Sequence, residues 1–206
     1  MKPNQAAFDA GQLAQRLTGG YFAHLTAITI VADPRADALA PQAGIVKNKN
    51  GTEHSFSFPY YLQLARTDTL ITSELERIWF TGSLLRMGDV LAQNGYFDRA
   101  PELELLRHLR NGVAHGNRFR IDDAAKLQKW PAHNRDAFTT KVNKGSQVFE
   151  VTENLDGQTV LFDFMAAGDV LCLLQSVAEY LITLGTGEQP AYWQRAEWLA
   201  LHHAKR

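Results

Sequence analysis

The chain has 206 residues, of which 45% are apolar and 21% are charged, and its formal net charge is −1. This length and balance predict one soluble globular domain with enough apolar residues to bury a core. Cys172 is the single cysteine, which excludes an intramolecular disulfide, and no cysteine or histidine spacing is typical of zinc. We therefore expect no metal or cofactor, and a protein of the reducing cytoplasm. Asp169, Gln175 and Glu179 interrupt the most apolar stretch, which argues against a membrane span.

The first part of the chain is predicted to be helical and then irregular. Residues 5–17 have a helical pattern that Gly19-Gly20 is expected to end. Residues 21–31 are rich in β-branched side chains, but the spacing of their apolar residues favours a helix over a strand. Two prolines within 33–44 indicate a loop.

A hairpin and then the longest helix are predicted next. Ile45–Lys47 and Ser55–Phe58 flank Asn50-Gly51, which is a strong signal for a type I′ turn between two strands. From Thr69 to about Gln93, apolar residues line one broad face of a helical pattern, and Asn94-Gly95 is expected to end it.

The following helix is predicted to begin at Pro101, with Glu102 and Glu104 as the acidic residues typical of a first turn. It continues to Gly116, which is expected to be the glycine that closes the helix. Because the connection to the preceding helix is short, the two should pack antiparallel.

The rest of the chain is predicted to contain one more hairpin and a long amphipathic helix. Residues 117–146 are basic and less regular, with short helices expected at Asp122–Lys129 and after Pro131. The remaining predicted elements are a hairpin of Gln147–Thr152 with Gln158–Phe162, a helix over Ala166–Leu184, and a last helix after Pro190. The fold class is therefore mainly α, a helical bundle with two small β-hairpin insertions.

The helix from Pro101 carries the most unusual stretch of the chain, LLRHLRNGVAHGNRFR at Leu105–Arg120, which has four arginines, two histidines and no acid. On a helical wheel, its apolar side chains gather on one side. Glu104, His108, Asn111 and His115 form a stripe on the opposite side. This stripe of hydrogen-bonding groups is the candidate site.

Positive charge is concentrated around this stretch. Residues 105–149 contain nine Lys and Arg against three Asp, so the segment has a charge of +6 while the rest of the chain has −7. A local basic region on a nearly neutral protein is suited to a polyanion, although a solvated basic face is an equal alternative for this feature alone.

The segment Arg110-Asn111-Gly112-Val113-Ala114-His115 resembles the Arg-x4–6-His signature of HEPN domains, in which a polar residue often follows the arginine. HEPN domains are small helical bundles, and many are metal-independent endoribonucleases of toxin–antitoxin or phage-defence systems. The resemblance implies one HEPN-like domain over 1–206, with a core at about 68–185 and insertions at about 33–66 and 117–165.

The resemblance implies a site for RNA cleavage without a metal. Arg110 would stabilise charge on the phosphorane, His115 would act as acid or base, and Asn111 would orient the imidazole or the sugar. Glu104 and His108 are candidate accessory residues. The residues expected to bind the RNA backbone are Arg118, Arg120, Lys126 and Lys129.

Arg110 and His115 project about 140° apart on a regular helix, so one chain alone does not obviously bring them together. HEPN proteins dimerise with their motif helices facing, which implies a homodimer with a shared active-site cleft. Toxins of this class that are paired with a nucleotidyltransferase antitoxin have a Tyr two residues after the His, where this chain has Asn117. The expected partners are therefore RNA, a second copy, and an antitoxin or defence-system protein of another type.

Two alternatives remain open. The chain could be a non-catalytic HEPN-like module for dimerisation or RNA binding, or an unrelated helical protein in which the motif occurs by chance. At the level of single residues, Arg110 could pair with an acid such as Asp122 or Glu104, Asn111 could bond a neighbouring loop, and His115 could cap the helix. On the preceding long helix, Glu76, Arg86 and Asp89 could face the motif helix, but nothing in their spacing selects them.

Overall fold

The computed structural model describes residues 2–121, 127, 138–142 and 145–191. Over these residues the protein is mainly helical, which confirms the expected fold class. The six helices of this part are α1 (Gln5–Ala32), α2 (Ala36–Leu39), α3 (Phe58–Thr67), α4 (Thr69–Gln93), α5 (Pro101–Ala114) and α6 (Ala167–Thr186). The two antiparallel hairpins are β1 (Ala43–Lys47) with β2 (Glu53–Ser57), and β3 (Phe138–Val142) with β4 (Gly145–Phe149).

The helix α1 differs from the prediction, because it runs through Gly19-Gly20 without a break and includes residues 21–31. A glycine inside a helix costs only about 1 kcal/mol relative to alanine, so a pair of them weakens a helix but does not end it. Near its start α1 packs closely on α6: a Cβ at Gly11 would lie 2.7 Å from Cγ1 of Ile182.

The first hairpin is where the sequence placed it, but its turn is different. Lys47 pairs with Glu53 as the last register pair. The N–H of Asn48 then donates to the carbonyl of Thr52 at 2.8 Å, so the loop has three residues, 49–51, rather than two. The N–H of Gly51 donates to the carbonyl of Asn48 at 2.9 Å, and Gly51 has φ 86°. This is the three-residue type of hairpin loop, in which only the glycine needs a left-handed conformation.

The second hairpin was predicted with the wrong partner. β4 pairs with β3, which precedes it, and not with residues 158–162. Residues Glu153–Leu155 instead form a short 3₁₀ turn, and Thr159 makes a single bridge to Arg118. The short helix expected at Asp122–Lys129, the beginning of the segment after Pro131 and the helix after Pro190 lie outside the described residues, apart from Leu127 and Ala191.

By its internal contacts the chain divides into two compact units, one of Met1–Thr18 with Phe80–Arg206 and one of Gly19–Trp79. The first unit contains the core, which is built from the second half of α4, α5, α6 and the segment 149–165. Its fully buried side chains include Phe80, Leu84, Met87, Leu106, Leu109, Phe149, Leu173 and Leu174. The single HEPN-like domain over 1–206 stays a prediction.

α6 is long and apolar enough to cross a membrane by length and composition, and within the described residues it is the one helix of that kind. Half of its most apolar window is buried inside the protein, and side chains such as Val170, Leu174 and Leu181 belong to the core. α6 is therefore part of the core of the first unit, and Gly187, in the left-handed backbone conformation, caps its C-terminal end.

Candidate functional site

The helix α5 lies inside the first unit with only a narrow accessible edge. Nine of its fourteen residues are buried, among them Leu105, Leu106 and Leu109. A Cβ at Gly112 would lie 2.3 Å from Cγ2 of Val160, so the chain presses closely on the helix there. The motif residues that stay accessible are Arg110 and Asn111, which are partly exposed, and Ala114 and His115, which are exposed.

Arg110 is held by an acid on α4. Its Nη2 donates to Oδ1 of Asp89 at 2.7 Å and its Nε to the same oxygen at 3.2 Å. The side chains are 32% and 51% exposed, so the pair is open to water. Nη1 of Arg110 also donates to Oδ1 of Asn111 at 3.4 Å, which links the first two motif residues.

Gly88 makes room for this arrangement. A Cβ at Gly88 would lie 2.3 Å from Cγ of Arg110 and 2.7 Å from its Cβ. The stem of Arg110 therefore runs across the surface of α4 where that helix has no side chain, and the adjacent Asp89 meets the guanidinium. The open alternative that Arg110 pairs with an acid is confirmed within the described residues, where the acid is Asp89 and not Glu104. Asp122 lies outside the described residues.

His115 is the residue at which α5 ends. Its backbone is no longer helical, with φ −112° and ψ 42°, and its N–H donates to the carbonyl of Gly112 at 3.1 Å. Gly116 follows with φ 79°, as expected for the closing glycine. The imidazole is exposed, and within the described residues no side-chain hydrogen bond or ion pair ties it to Arg110 or Asn111.

Asn117 fixes the chain directly after the motif. It has φ 63°, and its side-chain oxygen accepts from the N–H of Leu161 at 2.8 Å while its Nδ2 donates to the Leu161 carbonyl at 3.2 Å. Asparagine tolerates the left-handed region better than tyrosine does. The position where some HEPN toxins have a Tyr is therefore a structural clamp in this protein.

Glu104 and His108 do not face outward with Asn111 and His115, and the predicted single stripe is wrong in this respect. The Glu104 side chain is completely buried, and it accepts from Arg99 at 2.8 Å and from Arg107 at 2.6 Å. Nη2 of Arg107 lies 3.0 Å from Nε2 of His108, whose residue is 7% exposed. Because a guanidinium can only donate, Nε2 accepts, and the neutral ring then has its proton on Nδ1.

This buried network has a physical reason. Two arginines around one carboxylate satisfy both of its oxygens, which is what a completely buried charge requires. Its contacts favour a role for Glu104 in holding the start of α5 against the preceding connection. His108 presents Nε2 to Arg107, so that nitrogen is not open to a ligand.

The connection from α4 to α5 has an unusual backbone. Tyr96, Phe97 and Arg99 have φ values of 58°, 48° and 56°, a region that residues other than glycine rarely adopt. Arg99 is fixed by Glu104, and its guanidinium carbon lies 5.5 Å from the centre of the Tyr96 ring. Burial raises the pKa of Tyr96, while the positive charges of Arg107 and Arg110 oppose the rise. The Tyr96 phenol therefore lies in the field of Arg107 and of the motif residue Arg110.

The expected RNA-binding residues are only partly described. Arg118 is exposed, and its Nη1 donates to the carbonyl of Gly157 at 2.7 Å. Arg120 is also exposed, whereas Lys126 and Lys129 lie outside the described residues. Arg118 lines an open groove of about 640 Å³. The other residues lining this groove are Gln147, Val148, Phe149, Gly157, Gln158, Thr159, Asp163 and Phe164.

The structure thus joins Arg110 with Asn111 and Asp89, and it leaves His115 accessible one turn later on the same helix. Asp89 was among the residues of the long helix expected to be able to face α5, but its pairing with Arg110 was not predicted, and Gly88 was missed. The available signal was a glycine next to an acid in the middle of a long helix, because an interior helical glycine often marks close packing. Within the described residues, no group of three or more His, Cys, Asp or Glu side chains is arranged to hold a metal ion.

Comparisons of this chain with protein-family models, with curated proteins and with solved structures found no match. The resemblance to HEPN domains therefore stays a prediction from the motif.

Proposed function

We propose that this protein is a metal-independent endoribonuclease of the HEPN class, with its site at the accessible edge of α5. One observation carries the proposal. Arg110 and Asn111 are hydrogen-bonded to each other at that edge, and His115 is exposed where the same helix ends. These residues supply a guanidinium, an amide and an imidazole. Such groups can bind the phosphate and transfer protons when the adjacent ribose hydroxyl cleaves a phosphodiester.

The chemistry is an internal transfer to the 2′-oxygen. The 2′-hydroxyl loses its proton and attacks phosphorus, the bond from phosphorus to the 5′-oxygen breaks, and the leaving oxygen gains a proton. The products are a 2′,3′-cyclic phosphate and a 5′-hydroxyl. His115 transfers one of the two protons, because imidazole is the side chain suited to proton transfer near neutral pH. Arg110 binds the non-bridging oxygens as negative charge develops on them.

Asp89 gives Arg110 a resting partner. In the protein without RNA, the guanidinium donates twice to one carboxylate oxygen, and a phosphate must compete with that carboxylate. Because the pair is partly exposed, its contribution is small and exchange is easy. Asp89 and Gly88 therefore act as positioning residues for Arg110.

The proposal includes a cytoplasmic homodimer with a shared cleft. His115 and Arg110 have no direct contact within the described residues of one chain, so a second copy supplies the missing partner in the way the family resemblance implies. Arg118 and Arg120 would bind the RNA backbone beside the cleft, together with Lys126 and Lys129. A toxin or phage-defence role, with an antitoxin or other defence-system partner, belongs to the same proposal.

The test is a cleavage assay in EDTA. Wild type, Arg110→Ala and His115→Ala would be purified in parallel and incubated with a mixed RNA pool, with Glu153→Gln, at an exposed position on the 3₁₀ turn, as the matched control. We expect cleavage by wild type and by the control, and a loss of at least a hundredfold in the two motif variants. Equal cleavage by all four proteins would refute the assignment of the site.

A second function is favoured by one specific feature of the site. Arg110 is already paired with Asp89, and no side-chain contact joins it to His115 in the described part of one chain. A non-catalytic RNA-binding or dimerisation module would have this property. RNA binding that weakens with salt, without cleavage at any protein concentration, would support this alternative and refute the nuclease.

A further inference from the structure

The unit Gly19–Trp79 has almost no buried apolar side chain of its own. Its one buried hydrophobic residue is Tyr21, which donates a hydrogen bond to Glu76. Eleven of its large apolar residues are exposed: Phe22, Leu25, Ile30, Leu39, Ile45, Val46, Tyr60, Tyr61, Leu70, Leu75 and Ile78. In the rest of the described chain only Val148 and Phe162 are exposed in this way. We call residues Gly19–Trp79 the arm.

The hairpin of the arm is uncovered on both faces. Ile45 and Val46 are consecutive in β1, so their side chains point to opposite faces, and they are 57% and 58% exposed. An isolated two-stranded hairpin is marginally stable in water. A partner that lies flat on one face would leave the other in water, whereas a partner that wraps the hairpin covers both.

The arm is not a surface for a polyanion. Its acidic residues outnumber its basic ones by one, counted over Gly19–Trp79. Four of its five basic residues form ion pairs inside the arm, namely Arg35 with Asp33, Lys47 with Glu53, Arg66 with Asp37 and Arg77 with Glu74. Two copies of such a surface have little net charge to repel each other, and they can bring their apolar side chains together.

We propose that the arm is the interface between two copies of this chain. The exposed apolar side chains amount to an area on the order of 1,000 Å², and a stable interface buries roughly 800 Å² on each partner. A two-fold pair of interlocked arms lets each copy cover both faces of the other's hairpin with the same apolar residues. We infer that the partner is a second copy for three reasons: the arm has almost no net charge, its exposed apolar area is sufficient for a stable interface, and its hairpin is exposed on both faces. This inference does not rest on the proposed nuclease activity: the arm would hold the two copies together whether or not their motif helices also face a shared cleft.

The test measures the mass of the full chain in solution, with variants that place a carboxylate in the arm. Leu70 and Ile78 of α4 are 72% and 64% exposed, and glutamate is a good helix former, so Leu70→Glu and Ile78→Glu should fold. Val148→Glu, at a 59% exposed residue outside the arm, is the matched control. Circular dichroism of each variant confirms that its helix content is unchanged.

By sedimentation equilibrium, we expect wild type and Val148→Glu to have twice the chain mass of 23.0 kDa. We expect each arm variant to raise the dimer dissociation constant at least tenfold. A wild type of single-chain mass would overturn the proposal, and so would arm variants that dimerise as tightly as wild type. An equal loss in Val148→Glu would also overturn it, because the effect would not be specific to the arm.

Cross-linking separates this interface from one built on the motif helices. A mixture of ¹⁴N- and ¹⁵N-labelled chains would be treated with an amine-reactive cross-linker, and links between the two labels would be mapped. We expect them at Lys47 and Lys49 in and beside the hairpin. Mixed-label links confined to lysines of the basic segment 105–149 would place the interface there and overturn the proposal.

Discussion

Replacing Asp89 with asparagine isolates the charge that Arg110 faces in the protein without RNA. The amide keeps the shape of the carboxylate, and its oxygen still accepts from the guanidinium, so the arginine should stay where it is. What disappears is one negative charge that contacts Nε and Nη2 of Arg110 at 3.2 and 2.7 Å. If phosphate must displace this carboxylate, its removal should strengthen RNA binding.

The size of the effect follows from the exposure of the pair. Arg110 and Asp89 are 32% and 51% exposed, and ion pairs open to water contribute about 0.2–1 kcal/mol. If the free energy of this ion pair no longer opposes RNA binding, the affinity for RNA should rise by roughly 1.5- to fivefold. The dependence of the logarithm of the binding constant on the logarithm of salt concentration should steepen by at most about 0.7, the value for one additional phosphate contact on a single strand.

Fluorescence anisotropy with a labelled 2′-O-methyl RNA measures this affinity without cleavage. Titrations at about 50 and about 200 mM salt would compare wild type, Asp89→Asn, Arg110→Ala and the double variant, with Glu153→Gln as a control for general loss of negative charge. We expect Asp89→Asn to bind more tightly than Glu153→Gln, and the gain to vanish in the Arg110→Ala background. Weaker binding by Asp89→Asn, or a gain that persists without Arg110, would refute this account.

Three further predictions concern stability. Glu104→Gln should lower the free energy of unfolding by about 3 kcal/mol in urea titrations, because it leaves two arginines around a neutral amide; a loss below about 1 kcal/mol would contradict the structural role of this carboxylate. Gly112→Ala should cost about 1–3 kcal/mol through its clash with Val160, whereas Gly82→Ala, with nothing near its Cβ, should stabilise α4 by about 0.5–1 kcal/mol; equal melting temperatures would show that the close contact at Gly112 is not needed. Burial raises the pKa of Glu102 from 4.5 to about 7, with help from Asp98, so the folded state retains a proton that the unfolded chain releases. The free energy of unfolding should therefore fall by roughly 2–3 kcal/mol as pH rises from 4.5 to 7, and Glu102→Gln should remove this dependence; an identical pH profile in that variant would contradict the assignment.

The helices around the motif were predictable because their ends have local signals. Thr69–Gln93 matches its predicted bounds, and Pro101 begins α5 as the residue type and first-turn acids indicate. Where a local signal was weak, the prediction failed. Gly19-Gly20 was predicted to end the first helix, but α1 continues through both glycines. The low helix propensity of glycine is not enough by itself to end a helix.

The partner of β4 could not be read from the sequence. Strand pairing depends on contacts between separate segments, and the turn residues at 154–157 suggested a partner downstream. In the structure Glu153–Leu155 form a 3₁₀ turn, and the side chain of Asp156 accepts a hydrogen bond from the N–H of Ile121. This hydrogen bond holds the segment that follows the motif against the loop that contains Asp156.

The helical wheel predicted the side of the helix on which each site residue lies, but it could not predict which of these residues other segments cover. Asn111 and His115 are accessible as predicted, while Glu104 and His108, on the same predicted stripe, are covered and joined to arginines. A helix at the centre of a unit is covered over most of its circumference, so polar residues near its start become a buried network. The spacing also could not select Asp89 as the partner of Arg110 from the residues of α4 that could face α5, because the two residues are on different helices.

The measurement that tests the central claim most directly uses RNA chimeras in EDTA. An oligonucleotide with ribose at one preferred cleavage position would be compared with one that has deoxyribose at that single position, using wild type and His115→Ala. We expect cleavage of the ribose substrate by wild type alone, with a 2′,3′-cyclic phosphate end. Cleavage at the deoxyribose position, or equal cleavage of the ribose substrate by His115→Ala, would contradict the mechanism.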